Sequence, residues 1–219
     1  MICKVAVMEK SGRWQGGEWD KEPWKNIGAQ RLGNHMGDRP RHFPDTRVKI
    51  AHDENTLFLM FRVKDQYVRA VAGEDQGHVW EDSCVEFFFT PGPDIARGYF
   101  NLEMNCGGTL LLHFQPGGGG DRVVLPRSQC GKIIRVASLP KIIDPEIQTP
   151  VEWRLAYALP LDILSDYCPV DRPGPGVQWR GNFYKCGDKT SHPHWLTWAP
   201  VDFPRPNFHL PQFFGSLVF

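Results

Sequence analysis

Short stretches in which apolar and polar residues alternate, or in which apolar residues run together, recur along the chain between Gly, Pro, Asn and Asp. Because successive side chains of a strand point to opposite faces, these stretches predict β-strands. The predicted strands are Arg47–His52, Thr56–Lys64, Tyr67–Ala72, Ser83–Thr90, Tyr99–Asn105, Thr109–Phe114, Ile133–Ala137, Val151–Ala158, Val177–Lys185, Trp195–Trp198 and Gly215–Phe219. The pattern favours an all-β sandwich.

The clearest hairpin lies in the segment "VKIAHDENTLFLMFRVKD". A polar turn, Asp53-Glu54-Asn55, separates two runs that are rich in branched and aromatic residues. Such turn residues between two strand-like runs are typical of a hairpin. We therefore expect Val48–Lys64 to form two paired antiparallel strands.

One segment, Leu161–Tyr167, has a helical pattern, because Pro160 and Asp162 open a short turn ahead of apolar residues. Two other segments are predicted loops. Gln115–Gln129 contains four consecutive glycines and is expected to be a flexible tip, while Pro169–Gly176 is a stiff connector rich in Pro and Gly. Neither is long enough to mark a domain boundary.

Length, composition and charge describe one ordinary folded domain. The 219 residues are 41% hydrophobic and 23% charged, and a β-sandwich often runs to about 200–250 residues as one unit. We therefore expect a single domain over residues 1–219. Lys plus Arg (25) equal Asp plus Glu (25), so no basic surplus indicates a nucleic-acid partner. No apolar run approaches the roughly 18 residues that would indicate a membrane span.

The N-terminal segment "MICKVAVMEK" lacks the apolar stretch of a secretion signal. The localisation is thus left open: intracellular, or extracellular if a leader was removed. The cysteines have no Cys-x-x-Cys spacing and are too sparse for a disulfide scaffold, so we expect free, mostly buried thiols. They are Cys3, Cys84, Cys106, Cys130, Cys168 and Cys186.

The sharper catalytic signatures are missing from the sequence. It contains no Gly-x-Ser-x-Gly, no Gly-x-Gly-x-x-Gly and no His-Glu-x-x-His. The acidic cluster Glu81, Asp82 and Glu86 could supply the paired carboxylates of a glycoside hydrolase, since residues four apart on a strand face the same side. The alternative is that one carboxylate anchors a loop or a calcium ion while another hydrogen-bonds a ligand.

Transition-metal and haem ligation have weak signals. His192 and His194 in "SHPHW" are close in sequence, but a metal site needs three or four convergent donors, so a polar loop is the simpler interpretation. Met60 and Met104 are candidate haem ligands within apolar strands, where packing is the plainer role. We therefore expect His192 and His194 to lie in a polar loop, and haem ligation is kept only as an alternative.

Two aromatic residues lie outside the strand alternation. Trp80 precedes "EDSCVEFFF" at a junction between a loop and a strand, and Phe208 lies between Pro206 and Pro211 in a loop with a stiff backbone. Such residues can close the end of a core, or form a protein interface. Alternatively, an aromatic ring can cover the apolar face of a sugar while neighbouring polar groups bind the hydroxyls. A sugar-covering role for Trp80 and Phe208 predicts a preformed saccharide site.

Several segments in order resemble one known family. They are "GEWDKEPWKNI", "VKIAHDENTLFLMFRVKD", "VWEDSCVEFFF", "YFNLEMN", "WRGNFYKCGD", "TWAPV" and "PNFHLPQFFGSLVF". Together they cover most of the chain and are similar to the family 9 carbohydrate-binding modules and their DOMON-like relatives. The resemblance implies a single Ig-like β-sandwich of two antiparallel sheets with one short helix. It also implies non-catalytic carbohydrate binding.

In this family, two Trp side chains clamp the terminal sugars of a glycan. By motif, Trp80 matches the first clamp residue, and Phe208 falls where the family usually has the second Trp. Glu86 matches the sugar-binding Glu of the "D-S-V-E-x-F" strand. Asn101 stands in place of an Arg, which it cannot replace as a bidentate donor.

The amide side chain of the family's site corresponds to Asn182 or Tyr184 in "GNFYK". The resemblance requires no cofactor, although some relatives bind structural calcium. Four acidic residues could supply oxygens, but they do not make up a full shell of six to eight. They are Asp53, Glu54, Asp65 and Asp75.

The resemblance also implies a mono-, oligo- or polysaccharide ligand and a role in plant or microbial polysaccharide degradation. A glycoside hydrolase is then expected as a partner or a fused domain. Two other functions stay open at this point: a glycoside hydrolase that uses a carboxylate pair, and a haem or redox module, because related β-sandwiches include cytochrome domains.

Overall fold

The structure is a computed structural model that describes residues 1–8 and 16–219. Its strands are β1 (Ile2–Lys4), β2 (Ala6–Val7), β3 (Gln30–Arg31), β4 (Asn34–His35), β5 (Asp45–His52), β6 (Thr56–Asp65), β7 (Val68–Ala70), β8 (Cys84–Thr90), β9 (Tyr99–Asn105), β10 (Leu110–Gln115), β11 (Val123–Val124), β12 (Ile134–Ala137), β13 (Ile143–Ile147), β14 (Val151–Pro160), β15 (Gln178–Cys186), β16 (Trp195–Thr197) and β17 (Gly215–Val218). One short α-helix, α1, spans Arg127–Cys130, and 3-10 helices span Val79–Glu81, Ile95–Arg97, Leu161–Leu164 and Pro211–Phe213.

Within the described residues, the strands form three sheets. The largest has nine strands in the order β1-β17-β15-β8-β9-β10-β11, with β16 pairing with β15 and β4. A six-stranded sheet has the order β12-β14-β6-β5-β2, with β3 added beside β5, and β13 pairs with β7. Neighbouring strands are antiparallel except for the parallel pairs β1–β17 and β2–β5.

The core lies between the two large sheets, which pack face to face. Alternate residues of each strand point inward, as the period of two requires. The rings of Phe61 on β6 and Phe183 on β15 meet across the layers, with their centroids 6.3 Å apart. The predicted β-sandwich is therefore confirmed. Further inward residues of the core include Leu57, Leu59, Trp153, Leu155, Val85, Phe87, Phe89, Phe100 and Leu102.

The outer face of the nine-stranded sheet is also largely covered. Every residue of β8 and β9 is buried, because the segment from Val201 to Phe214 packs over the face that points away from the core. Strands buried on both faces read as nearly continuous apolar runs. This explains why "CVEFFF" shows little alternation.

The outer face of the six-stranded sheet is covered by the segment that contains Trp19 and Trp24. The ammonium group of Lys49 on β5 donates to the carbonyl oxygens of both residues, at 2.9 and 2.7 Å. It also lies 4.6 Å from the ring centroid of Trp19. A cation–π contact and two hydrogen bonds compensate for the burial of this lysine.

Each of the eleven predicted strands overlaps an observed strand, and the predicted hairpin is formed by β5 and β6. Most of the strands that the pattern missed have two or three residues, which carry no readable period; the exception is β13, whose five residues include Pro145. The predicted helix at 161–167 is a 3-10 helix over Leu161–Leu164. The loop predicted over 115–129 instead contains β11 and the start of α1, because Cys130 and Leu125 are buried against the core.

All six cysteines are buried and free, which confirms the thiol prediction. No helix of the described residues is long and apolar enough to cross a bilayer.

The hydroxyl group of Tyr157 has no hydrogen-bond partner among the described residues, although its side chain is buried. An unsatisfied buried polar group costs about 1–3 kcal/mol. We therefore expect Tyr157→Phe to raise the free energy of unfolding by about 1 kcal/mol, measured by chemical denaturation. Tyr167→Phe is the control, because its hydroxyl donates to Gln129 at 2.6 Å. A loss of stability in the Tyr157 variant would contradict this expectation.

Candidate functional site

A cleft of about 480 Å³ opens on the outer face of the nine-stranded sheet. Its floor consists of outward-facing side chains of β8, β9 and β10. Its walls come from Trp195 at the start of β16 and from the segments that follow β7, β10, β15 and β16. This volume lies within the roughly 300–1,000 Å³ range of ligand pockets. The lining residues are Trp80, Glu86, Phe88, Tyr99, Asn101, Glu103, Leu111, His113, Gln115, Arg122, Cys186, Asp188, Trp195, Pro206, Asn207, Phe208 and His209.

Trp80 is held in the cleft wall by its own backbone and by the residue after its helical turn. Its carbonyl oxygen accepts from the backbone N–H of Asp188, at 3.2 Å. Asp82 accepts from the backbone N–H groups of Val71 and Ala72, which fixes the turn against the sheet. The indole ring is half-buried and lies 4.6 Å from the His78 ring. The turn therefore presents an aromatic surface to the cleft.

Phe208 also lines the cleft, but it is only 8% exposed. One face of its ring stacks on Tyr184, with centroids 4.1 Å apart and an interplanar angle of 11°. The Tyr184 hydroxyl donates to the Phe208 carbonyl oxygen at 3.3 Å. Trp195, a residue that the sequence reasoning did not select, is half-buried in the same cleft, and its indole N–H donates to Asp188 at 2.8 Å.

Four of the six predicted binding residues thus meet at the cleft: Trp80, Glu86, Asn101 and Phe208. The other two, Asn182 and Tyr184, are fully buried behind it. The Asn182 amide bonds to the backbone of Phe183 and Ala199. Tyr184 supports Phe208 from beneath. Neither side chain lines the cleft, because the loop at 199–208 covers that part of β15.

A chain of hydrogen bonds orders the polar floor. The Gln115 amide donates to Asn101 Oδ1 at 3.0 Å, and Asn101 Nδ2 donates to Glu103 Oε1 at 3.0 Å. The Cys186 thiol donates to Glu86 Oε1 at 2.9 Å. Glu86 and Glu103 are register partners on β8 and β9. Period-two spacing from Asn101 could have identified Glu103, whereas Asp188 and Trp195 become neighbours only through the fold.

The carboxyl groups of the cleft hold their protons more strongly than usual. Burial raises the pKa of Glu86 well above its ordinary value, and the nearby Cys186 and Glu103 add to the effect. Burial likewise raises the pKa of Glu103 to about 7 and raises the pKa of Asp188. Burial lowers the pKa of His113 to about 4, so this ring is neutral at pH 7. The cleft therefore offers both donors and acceptors to a polar ligand.

The family model described as "Carbohydrate-binding family 9" matches residues 23–219. The chain belongs to this family. The matched range covers the sandwich from Pro23 to its last residue, so it includes every strand that lines the cleft.

Two relatives are similar to this chain over most of its length. The chain aligns over its full length with a crystal structure of a candidate carbohydrate-binding protein from Bacteroides uniformis, at 34% identity and a TM-score of 0.87, covering 98% of that chain. An "Extracellular protein" of Arthroderma benhamiae is 23% identical over 81% of this chain and 79% of its own length.

Two further solved structures share the fold of this family 9 protein. Both are family 9 modules from Caldicellulosiruptor kristjanssonii, one in complex with glucose and the other with cellotriose. Each is 12% identical to this chain. The glucose complex has a TM-score of 0.65 and covers 100% of this chain and 95% of its own, while the cellotriose complex has a TM-score of 0.64 and covers 99% and 93%.

The carboxylate pair considered for hydrolysis does not meet in the cleft of this family 9 chain. Glu86 lines the cleft, but Asp82 is buried beside it in a structural network. Its oxygens accept from Arg69 Nε at 3.2 Å and from Asn105 Nδ2 at 3.0 Å, as well as from two backbone N–H groups. Asp82 anchors a loop, which was the structural alternative.

The histidines of "SHPHW" have separate protein partners. His194 is buried, with Nε2 2.7 Å from the ammonium group of Lys185, and His192 stacks on Tyr67 with centroids 3.6 Å apart. The haem candidates Met60 and Met104 are buried in different apolar clusters.

The four acidic residues considered for calcium do not fit one ion. Asp65 bonds to His42 and Trp153, and Asp75 forms two bonds to Arg135. Asp53 accepts from the backbone of Asn55. Among the described residues, no three of the four candidates bring their oxygens within 4.8 Å of one another.

One group in the described residues does have metal-ligand spacing. The ligand atoms of Cys84, Glu86 and Cys186 lie within 4.8 Å of one another. Structural zinc sites use four ligands, and a thiol must lose its proton to bind a metal. Burial raises the pKa of Cys84 to about 12 and that of Cys186 well above its ordinary value. This trio could hold a metal only with a fourth ligand from the cleft.

Proposed function

We propose that this family 9 chain binds saccharides without cleaving them, in the cleft that Trp80, Trp195 and Phe208 share with Glu86 and Asn101. The observation that carries the proposal is the presence of aromatic surfaces and polar side chains around one open cleft. An aromatic ring can cover the apolar face of a pyranose, while carboxyl and amide groups bind its hydroxyls. A preformed site of this kind loses little ordering entropy on binding.

The ligands of the two Caldicellulosiruptor kristjanssonii modules, glucose and cellotriose, support a saccharide as the ligand class. The fold supports the same proposal, because the floor of the cleft lies on central strands of a large sheet. Rigid elements hold binding groups more accurately than loops do. The aromatic walls are tied to this sheet as well: Trp195 begins β16, which pairs with β15, and the turn that carries Trp80 is held by hydrogen bonds.

The direct test is calorimetric titration with glucose, cellotriose and a wider saccharide panel. Truncation of a central stacking aromatic normally costs about 2 kcal/mol, or some thirtyfold in affinity. We expect this loss for Trp80→Ala. Phe203→Ala is the matched control, since Phe203 is an exposed aromatic outside the cleft. Unchanged affinity in the Trp80 variant would show that the site lies elsewhere.

A product assay separates binding from hydrolysis. Incubation with polysaccharides should release no new reducing ends if the chain only binds. Product formation that is abolished by Glu86→Gln, with binding retained, would favour a glycoside hydrolase instead. On the binding proposal, the chain serves glycan breakdown by holding a hydrolase partner or fused domain on its polysaccharide.

A further inference from the structure

The cleft contains three carboxyl groups. Glu86 and Glu103 lie directly opposite each other on adjacent strands, and Asp188 follows β15. None of the three forms an ion pair within the described part of the chain. Like charges at register partners repel one another. The protein therefore gathers three carboxyl groups here without a fixed counter-ion, and burial raises the pKa of each of them.

One carboxyl oxygen of Glu103, Oε2, has no hydrogen-bond partner among the residues that the structure describes. The Glu103 residue is only 5% exposed. Asn101 holds the other oxygen at 3.0 Å and is itself held by Gln115. Glu103 lines the cleft, but Oε2 is itself buried in that lining, so a ligand donor reaches it only when the Glu103 side chain turns toward the opening.

Positive groups in the cleft do not balance the carboxyl groups. Arg122 lines the cleft from an exposed loop. Burial lowers the pKa of His113 to about 4 and also lowers the pKa of His209, so both rings are neutral at pH 7. A ligand that brings N–H donors and a positive charge would complement the three carboxyl groups, which outnumber the single Arg122.

We propose that the cleft selects saccharides that carry a protonated amine, such as a glucosamine unit, through Glu103 together with Glu86 and Asp188. This inference rests on the proposed saccharide binding. An ammonium group supplies three N–H donors. Its bonds to a carboxylate are charge-assisted and roughly twice as strong as those between neutral groups. A uronic acid brings the opposite charge and is disfavoured by the same groups.

The test compares four sugars by calorimetry at pH 7: glucosamine, N-acetylglucosamine, glucose and glucuronate. N-acetylglucosamine is the matched ligand control, because it keeps the nitrogen substituent but loses the charge. We expect glucosamine to bind at least about tenfold more tightly than the two neutral sugars, and glucuronate most weakly. Glucose binding without this preference overturns the inference and leaves the proposed function standing, whereas no binding of any saccharide overturns both.

A variant of Glu103 tests whether its carboxyl group causes the preference for glucosamine over glucose. Glu103→Gln keeps the size of the side chain and removes the charge, and should reduce the glucosamine-to-glucose affinity ratio to about twofold or less. Glu74→Gln is the control, because Glu74 is an exposed carboxylate outside the cleft. A ratio that is unchanged in the Glu103 variant overturns the assignment.

The pH dependence gives an independent readout with the unmodified protein. Burial raises the pKa of Glu103 to about 7, Asp188 adds to this shift and Arg122 opposes it. Glu86 shares the same buried space with Cys186. A bound cation favours the ionised carboxyl groups, so glucosamine affinity should fall severalfold from pH 7 to pH 5 while glucose affinity changes less. Glucosamine affinity that rises toward pH 5 contradicts the inference.

Discussion

Replacing Asp65 with Asn is expected to lower the free energy of unfolding by about 3–5 kcal/mol, the largest effect that we predict for this protein. Asp65 and Lys185 have fully buried side chains, and Asp65 Oδ2 lies 3.6 Å from the ammonium group. Asp65 Oδ1 lies 2.6 Å from His42 Nε2. The Asn variant leaves the ammonium group buried between the sheets without its counter-charge.

The position of Lys185 links this ion pair to the cleft. Lys185 points toward the core from β15, while its neighbours Tyr184 and Cys186 point toward the opposite face. Its ammonium group also donates to the Cys186 carbonyl oxygen at 2.8 Å. Loss of Asp65 should therefore loosen the strand that supports Phe208.

Thermal and chemical denaturation measure this effect. A loss of 3–5 kcal/mol corresponds to a Tm roughly 10 °C lower for a chain of this size. Asp38→Asn is the control, because Asp38 is exposed. Loss of less than about 1 kcal/mol in the Asp65 variant would rule out a stabilising role for the pair.

The difference in free energy of unfolding between wild type and Asp65→Asn should depend on pH. Burial alone would raise the pKa of Asp65, but Lys185 and His42 together hold it well below its ordinary value. A lowered pKa stabilises the fold above the ordinary pKa of Asp, about 3.9, and this contribution is lost as the pH falls further. The difference between wild type and Asp65→Asn should be complete at pH 7 and shrink below about pH 4.

The second large effect is expected for Asn182→Ala, with a loss of about 3 kcal/mol in stability. Asn182 Oδ1 accepts from the backbone N–H groups of Phe183, at 3.0 Å, and Ala199, at 2.8 Å. Both donors are buried and would lose this acceptor. The Ala199 carbonyl oxygen keeps a partner, because Thr197 also donates to it at 2.8 Å.

Saccharide affinity separates this structural role from a binding role. At a temperature where Asn182→Ala is folded, we expect its affinity to match that of the wild type. Asn101→Ala provides the matched comparison, since Asn101 lines the cleft and positions Glu103. We expect Asn101→Ala to lose more free energy of saccharide binding than free energy of unfolding. A large affinity loss in the folded Asn182 variant would instead support the ligand role that its motif implies.

The sequence by itself determined the fold class and most of the strands. Alternation and turn residues suffice for this, because a strand buries one face in steps of two and a turn such as Asp53-Glu54-Asn55 needs its own residue types. Strands of two or three residues, such as β3 and β11, escaped because so short a segment has no period. The helical turn at Leu161 was located, but sequence pattern did not distinguish a 3-10 turn from an α-helix.

For the cleft, the sequence was sufficient where residues share a strand or a motif. Trp80, Glu86 and Asn101 could be selected because they lie in or beside ordered motifs of the family. The sequence did not distinguish Asn182 from Asn101, because both residues face the same side of the same sheet. Whether such a side chain reaches solvent depends on the loop that covers it.

Only the tertiary structure decided what the cleft contains. It brought Trp195 and Asp188 into the same cleft as Trp80, set Glu86 opposite Glu103, and left one oxygen of Glu103 without a partner in the described part of the chain. These relations depend on strand register and on the path of the segment 199–214 over the sheet. Local pattern fixes the face on which a side chain lies, whereas its neighbours and its charge state follow from contacts between residues distant in sequence.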